Sequence, residues 1–154
     1  MTKVSFYDEV RDELLKFAVI IAVYDGKLVF CKHKKRDTWE IPGGHREAGE
    51  EISATAGREL SEETGAVTYT IEPVCVYSVT APDNLNGGNE SFGMLYFAEI
   101  RELDPTLHSE IGQIALTSEL PERWTYPEIQ PKLLKEAGRR NPRLFKTLRD
   151  RGLL

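Results

Sequence analysis

The segment Ile52 to Thr64 constrains this chain more than any other stretch. It has no proline, is rich in Glu, Ala and Leu, and is closed by Gly65, a pattern that predicts a helix of that span. Its apolar stripe is thin, made by Ile52, Ala56 and Leu60, so it must lie against a larger apolar surface that other segments supply. At about 100° per helical residue, Glu59, Glu62 and Glu63 project within one arc of about 100°. Like charges three and four apart cost a helix some tenths of a kcal/mol each, and Arg58 and Arg46 are the nearby cations in sequence. A further positive partner is expected to offset that repulsion. Hard carboxylate oxygens on a rigid element suit Mg²⁺ or Mn²⁺, whereas a structural zinc would want Cys or His. Taken alone, an E-x-x-E-E run more often means a solvated acidic face.

The surface for that helix comes from extended segments. Phe17 to Tyr24, then Asp25-Gly26, then Lys27 to Lys32 predict a hairpin, because Asp-Gly accepts the positive φ of a tight turn. Trp39 to Ile41 reads as a third short strand, ended by Pro42-Gly43-Gly44. Val67 to Val79 and Phe92 to Ile100 are β-branched and aromatic and read as antiparallel strands around the loop from Pro82 to Glu90. Ile114 to Thr117 is a further short strand, and Pro127 to Ala137 a second helix with proline near its start. The order β-β-β-α-β-β-β-α predicts an α/β fold, a mixed sheet flanked by helices.

The 154 residues suit one domain spanning the chain. The longest apolar run, Phe17 to Tyr24, is eight residues, against the roughly 20 a membrane-spanning helix needs. A net charge of −5 speaks against duplex nucleic acid or an anionic membrane as the main partner. The N-terminus has no apolar core of a secretory signal, and Cys31 and Cys75 stand apart from any metal motif. Two reduced, buried thiols in a cytoplasmic protein are expected. Against this acidic background, residues 139–151 hold six basic residues with Asp150 alone opposing them. That stretch reads as a basic tail or, since Leu144 and Leu148 are four apart, as a short docking helix. Nothing in the sequence separates a monomer from a homodimer.

From Gly44 onward the chain reads Gly44, five residues, Glu50, seven residues, then Arg58-Glu59-Leu60-Ser61-Glu62-Glu63-Thr64-Gly65-Ala66. This resembles the Nudix hydrolase box, G-x5-E-x7-R-E-U-x-E-E-x-G-U with U apolar, at every position. With Gly44, Glu50, Arg58 and Gly65 all in place, the metal reading overtakes the solvated face. The resemblance implies an α/β/α sandwich carrying a catalytic loop-helix-loop, with Mg²⁺ (or Mn²⁺) held by Glu59, Glu62 and Glu63 and by the Gly43 carbonyl. Glu50 and Arg58 become a supporting pair that orients the helix, and Gly43 and Gly44 let the backbone approach metal or phosphates. The implied reaction is hydrolysis of a phosphoanhydride in a nucleoside diphosphate linked to another group. Members differ in the base: Glu59 or a later-loop glutamate, for which Glu110 is the candidate as base or extra ligand. Modules of this fold that bind nucleotides without hydrolysis typically lose box carboxylates, and none is missing here.

Substrate contacts lie outside the box. Phosphates need cations, and a basic residue at the end of the second strand is implied, which points to Lys32 and His33. Trp39, Tyr77, Phe92, Trp124 and Tyr126 are the large rings available to a base. Trp124 and Tyr126, set among polar residues and prolines, are the candidates for stacking. The branch that removes oxidised dGTP carries an asparagine near this point, where Thr125 or Tyr126 stands here. A (d)NTP or an oxidised dNTP such as 8-oxo-dGTP, giving NMP and pyrophosphate, is the expected substrate. In the family this chain resembles, a proline at about this distance accompanies ADP-ribose hydrolysis, so Pro82, sixteen residues after Ala66, makes ADP-ribose or a nucleotide sugar the implied alternative.

Overall fold

The computed structural model describes residues 2–82, 87–104, 111–117, 119–150 and 152. Its centre is β2 (Leu15–Tyr24), which turns through Asp25 (φ 52°) and Gly26 (φ 74°) into β3 (Lys27–His33). Both turn residues take the positive φ that a two-residue hairpin requires. The two strands pair only beside the turn, at Val23↔Leu28 and Tyr24↔Lys27. Further back, β4 (Gly43–His45) takes the same edge of β2, placing Gly44 opposite Ala18.

The other edge of β2 pairs in parallel with β6 (Ser91–Leu103). β6 is antiparallel to β5 (Ala66–Thr80), and β5 to β1 (Lys3–Tyr7), while β7 (Ile111–Thr117) closes the far side against β3. The result is a seven-stranded mixed sheet, ordered β1-β5-β6-β2-β3-β7 with β4 on β2.

Strand period two sorts the core. Ala18, Ile20 and Ala22 face one side with Ile52, Ala56 and Leu60 of α1 (Ile52–Thr64). Val19, Ile21 and Val23 face the other side with Leu133, Leu134 and Ala137 of α2 (Gln130–Arg140) and Leu144 and Leu148 of α3 (Pro142–Asp150). This is the helix-sheet-helix sandwich expected of the sequence, and the bounds of α1 are those predicted.

Four details differ from the sequence reading. Pro42-Gly43-Gly44 does not end regular structure, because Gly43 and Gly44 form β4. Trp39 to Ile41 is not a strand but makes two isolated bridges, Cys31↔Glu40 and Trp39↔Trp124. α2 begins at Gln130 rather than Pro127, with Pro131 in its first turn. β1 was not anticipated. The basic segment is a docking helix: Leu144 and Leu148 are fully buried, and Arg143 reaches Glu72 and Glu99 on the sheet. Both cysteines are free and buried. Among the described residues no helix is long and apolar enough to cross a membrane.

Candidate active site

The helix α1 lies over the β2-β4 pair, and its carboxylates emerge beside the glycines of β4. Neither glycine has a positive φ, so their role is steric. A Cβ at Gly44 would overlap the Glu59 carboxylate, and one at Gly43 would overlap the Ala18 carbonyl. With hydrogens alone on that face, the Gly43 N–H donates to Glu63 Oε1 at 2.7 Å.

Arg58 organises the other carboxylates. Its Nε and Nη2 donate to the two oxygens of Glu50 at 2.8 and 3.0 Å, a bidentate pair. Its Nη1 donates to Glu59 at 2.8 Å and Glu62 at 3.3 Å. Thr55 Oγ1 and the Glu47 N–H also donate to Glu50, and these bonds, Arg58 first, hold the Glu50 carboxyl down to about 2. Glu50 is thereby a fixed anion that anchors the arginine.

Glu63 is the opposite case. Its carboxyl is pushed up to about 8, chiefly by burial, with the Glu59, Glu40 and Glu62 charges adding and the Gly43 N–H opposing. Burial also raises Glu59. Mutually repelling carboxylates, Glu63 buried, Glu59 half-buried and Glu62 exposed, with oxygen-only donors and a backbone cradle fit a hard divalent cation. Glu59, Glu62 and Glu63, with the Gly43 carbonyl, are the groups that would hold it. Among the described residues they are not already gathered as a metal site: Glu59 and Glu62 lean on Arg58 while Glu63 is tied to Gly43.

The electrostatics predict a pH dependence. A carboxyl whose folded value lies above its ordinary 4.5 stabilises the fold most below that ordinary value, and the contribution is lost as pH rises through about 8. With a chelator present, the melting temperature should therefore fall from about pH 6 to about pH 8.5, and Glu63→Gln should flatten the slope. A flat wild-type profile would exclude this charge burial.

A cavity of about 830 Å³ opens on this cluster. Its lining joins Glu59, Glu62, Glu63, Gly43 and Gly44 with the apolar Phe17, Val19, Tyr77, Val79, Ile129 and Leu133. His33 and Tyr126, both singled out in the sequence, line it. His33 Nε2 stands 3.5 Å from Glu63 and 3.6 Å from Glu40. Lys32 does not line it, because its ammonium turns to the Arg36 carbonyl at 3.4 Å. Arg36 lines the cavity in its place, paired with Glu40 at 3.2 Å and hydrogen-bonded to Tyr126.

Trp124 is also displaced from its expected place. Its half-buried ring meets Phe30 edge-on at 5.5 Å and packs against the core on the α2 side. Glu110 lies outside the described residues. Sequence reasoning missed Glu40 and Gln130, both buried on the cavity wall. For Gln130 a signal existed: with Leu133, Leu134 and Ala137 it occupies the inward positions of α2, where a polar residue is out of pattern.

Fold and carboxylate helix together define a Nudix hydrolase. The family model described as NUDIX domain matches residues 14–144, and the chain belongs to this family, whose members generally use divalent metal ions. Among its relatives is the presumed 8-oxo-dGTP diphosphatase YtkD of Bacillus subtilis (strain 168), 31% identical over 121 residues, covering 78% of this chain and 73% of YtkD. The Bacillus subtilis pyrophosphohydrolase BsRppH superposes with a TM-score of 0.71 at 25% identity, covering 98% of this chain and 91% of that one. The NUDIX domain of Shewanella oneidensis NrtR, solved with ADP ribose, shares the fold at a TM-score of 0.58 and 17% identity, over 82% of this chain and 87% of that one.

Proposed function

We propose that this protein hydrolyses a nucleoside triphosphate, ordinary or oxidised such as 8-oxo-dGTP, to the monophosphate and pyrophosphate, using Mg²⁺ or Mn²⁺ in the cytoplasm. The observation that carries the reading is a single cavity of about 830 Å³ lined both by a carboxylate cluster suited to metal and phosphate and by apolar side chains and rings suited to a nucleoside. The relatives named for diphosphatase and pyrophosphohydrolase activity support the same reaction class.

In this reading Glu59, Glu62, Glu63 and the Gly43 carbonyl hold the metal, which when bound neutralises phosphate charge and lowers the pKa of water. Arg58 and Glu50 fix the angle of the helix. The proton of the attacking water goes to Glu59 or to Glu110. His33 and Arg36 stand where phosphates would enter, and Tyr126 offers a ring at the rim. Pro82 and the ADP-ribose complex of NrtR favour ADP-ribose as the second reading.

The test is product release with Mg²⁺, and separately Mn²⁺, across ordinary and oxidised dNTPs, ADP-ribose, nucleotide sugars, dinucleoside polyphosphates and coenzyme A, with Glu63→Gln as blank. Monophosphate and pyrophosphate from a triphosphate are expected. Exclusive turnover of ADP-ribose would replace the first reading with the second, and turnover of none would remove both. On the best substrate Glu110→Gln should lower kcat more than Glu102→Gln, and equal small effects would take Glu110 out of the site.

A further inference from the structure

The connection between β4 and α1 brings Glu50 to Arg58, and Arg46 fastens that connection to the rest of the fold. Arg46 Nε donates to the Glu50 carbonyl at 2.6 Å. Its Nη1 donates to the Asp12 and Leu15 carbonyls at 2.9 and 3.2 Å, and its Nη2 to the Asp12 carboxylate at 2.8 Å. Four of the five N–H groups of the guanidinium are thus engaged by the protein. The sequence marked Arg46 as a cation close to the acidic helix face. Among the described residues its ion pair is instead with Asp12. A planar fork meets all these acceptors at once, whereas a lysine ammonium is a point charge on a flexible stem.

These bonds complete a chain of contacts. Asp12 and Leu15 hold Arg46, and Arg46 holds the main chain of Glu50. The Glu50 carboxylate holds Arg58 with two bonds, and Arg58 meets Glu59 and Glu62. Within the connection the Glu50 N–H donates to the Glu47 carbonyl and the Glu47 N–H to the Glu50 carboxylate, both at 3.1 Å, so this turn moves as one piece. The far end of the chain, Asp12, is exposed, stands outside the cavity wall and lies before the residues 14–144 that the family model matches.

Resting on the metal assignment above, we propose that the Asp12–Arg46 pair is a positioning device for this site. The pair fixes the connection that carries Glu50 and, through Arg58, the angles at which Glu59 and Glu62 face the metal. Both residues act through Glu50 rather than on the substrate, since the guanidinium of Arg46 is taken up by the protein. A segment outside the family-matched residues thereby sets the rate of the reaction.

The experiment compares the wild type with Arg46→Lys, Asp12→Asn and the double variant on the best substrate of the panel above. Melting curves and amide hydrogen exchange are recorded on the metal-free proteins. Arg46→Lys keeps the charge but not the fork, so kcat should fall about tenfold or more while KM changes by less than about threefold. Asp12→Asn leaves both main-chain acceptors in place and should lower kcat by about threefold. The double variant should be about as slow as Arg46→Lys alone, because the two residues act as one unit. In Arg46→Lys the amides of residues 46–51 should exchange about tenfold faster, with those in the middle of β2 unchanged.

A raised KM at unchanged kcat would make Arg46 a phosphate contact and overturn the proposal. A loss of kcat that tracks the melting temperature and returns on cooling would make the role structural alone, which also overturns it. So would wild-type kcat and exchange in Arg46→Lys. The exchange measurement needs neither metal nor substrate, so failure of the pair is distinct from failure of the metal assignment, which Glu63→Gln reads.

Discussion

Replacing Glu63 by Gln should lower kcat by about a thousandfold or more while the protein stays folded. Glu63 takes the Gly43 N–H through Oε1 and sits buried among Glu59, Glu40 and Glu62. Gln has the same shape and keeps an acceptor for that N–H, so the strand-helix junction survives. What it loses is the negative charge that a divalent ion would need. Relief of the buried repulsion means that the metal-free variant should melt no lower than the metal-free wild type. The stabilisation gained by adding Mg²⁺ or Mn²⁺ should largely vanish in the variant. Near-wild-type turnover in Glu63→Gln would end the assignment of Glu63 to the metal.

The second large effect is expected from one methyl group. Gly44→Ala should reduce kcat by about a hundredfold, the scale of a misplacement near 1 Å at reacting groups, with only a small loss of stability. Gly44 has ordinary strand geometry, so its backbone accepts alanine, and the overlap falls on the far end of the Glu59 side chain. The carboxylate moves and the fold does not. Gly43→Ala provides the contrast, because there the overlap is with the Ala18 carbonyl. Its β4 strand must shift, and melting temperature and activity should fall together. Similar melting losses for the two variants would contradict this division of roles.

The contrast also explains where sequence reasoning succeeded. Helix α1 was legible to the residue because local signals agree: no proline, an acid-rich period and the Gly65 stop, where the backbone is left-handed at φ 79°. The placement of α3 followed from Leu144 and Leu148 alone. Strand β4 was not legible, since two glycines after a proline read as a break. Pairing with β2 overrides their weak propensity, and what selects glycine there is the closeness of Ala18 and Glu59. β1 is a short edge strand whose ladder partner is β5, and five residues of local pattern cannot announce a partner some 70 residues away.

The site divides in the same way. Glu59, Glu62 and Glu63 share a helix face, so their convergence follows from period alone. The cavity's other polar groups reach it from the β3-β4 connection and from the start of α2. Lys32 and Arg36 differ by four positions in the same basic run, and only the path of the chain decides which one turns inward. Trp124 illustrates the limit for aromatic residues: polar neighbours suggested exposure, but its ring is half-buried against Phe30.

β2 is paired along both edges and buried on both faces, and the glycine strand and the acidic helix are both fastened to it. Such a strand is among the last parts of a protein to open. Because the carboxylate cluster is moored to a strand paired on both edges, partial unfolding of the periphery would leave it in register. Heat would then remove the activity and the fold in a single event, with no inactive but still folded form in between.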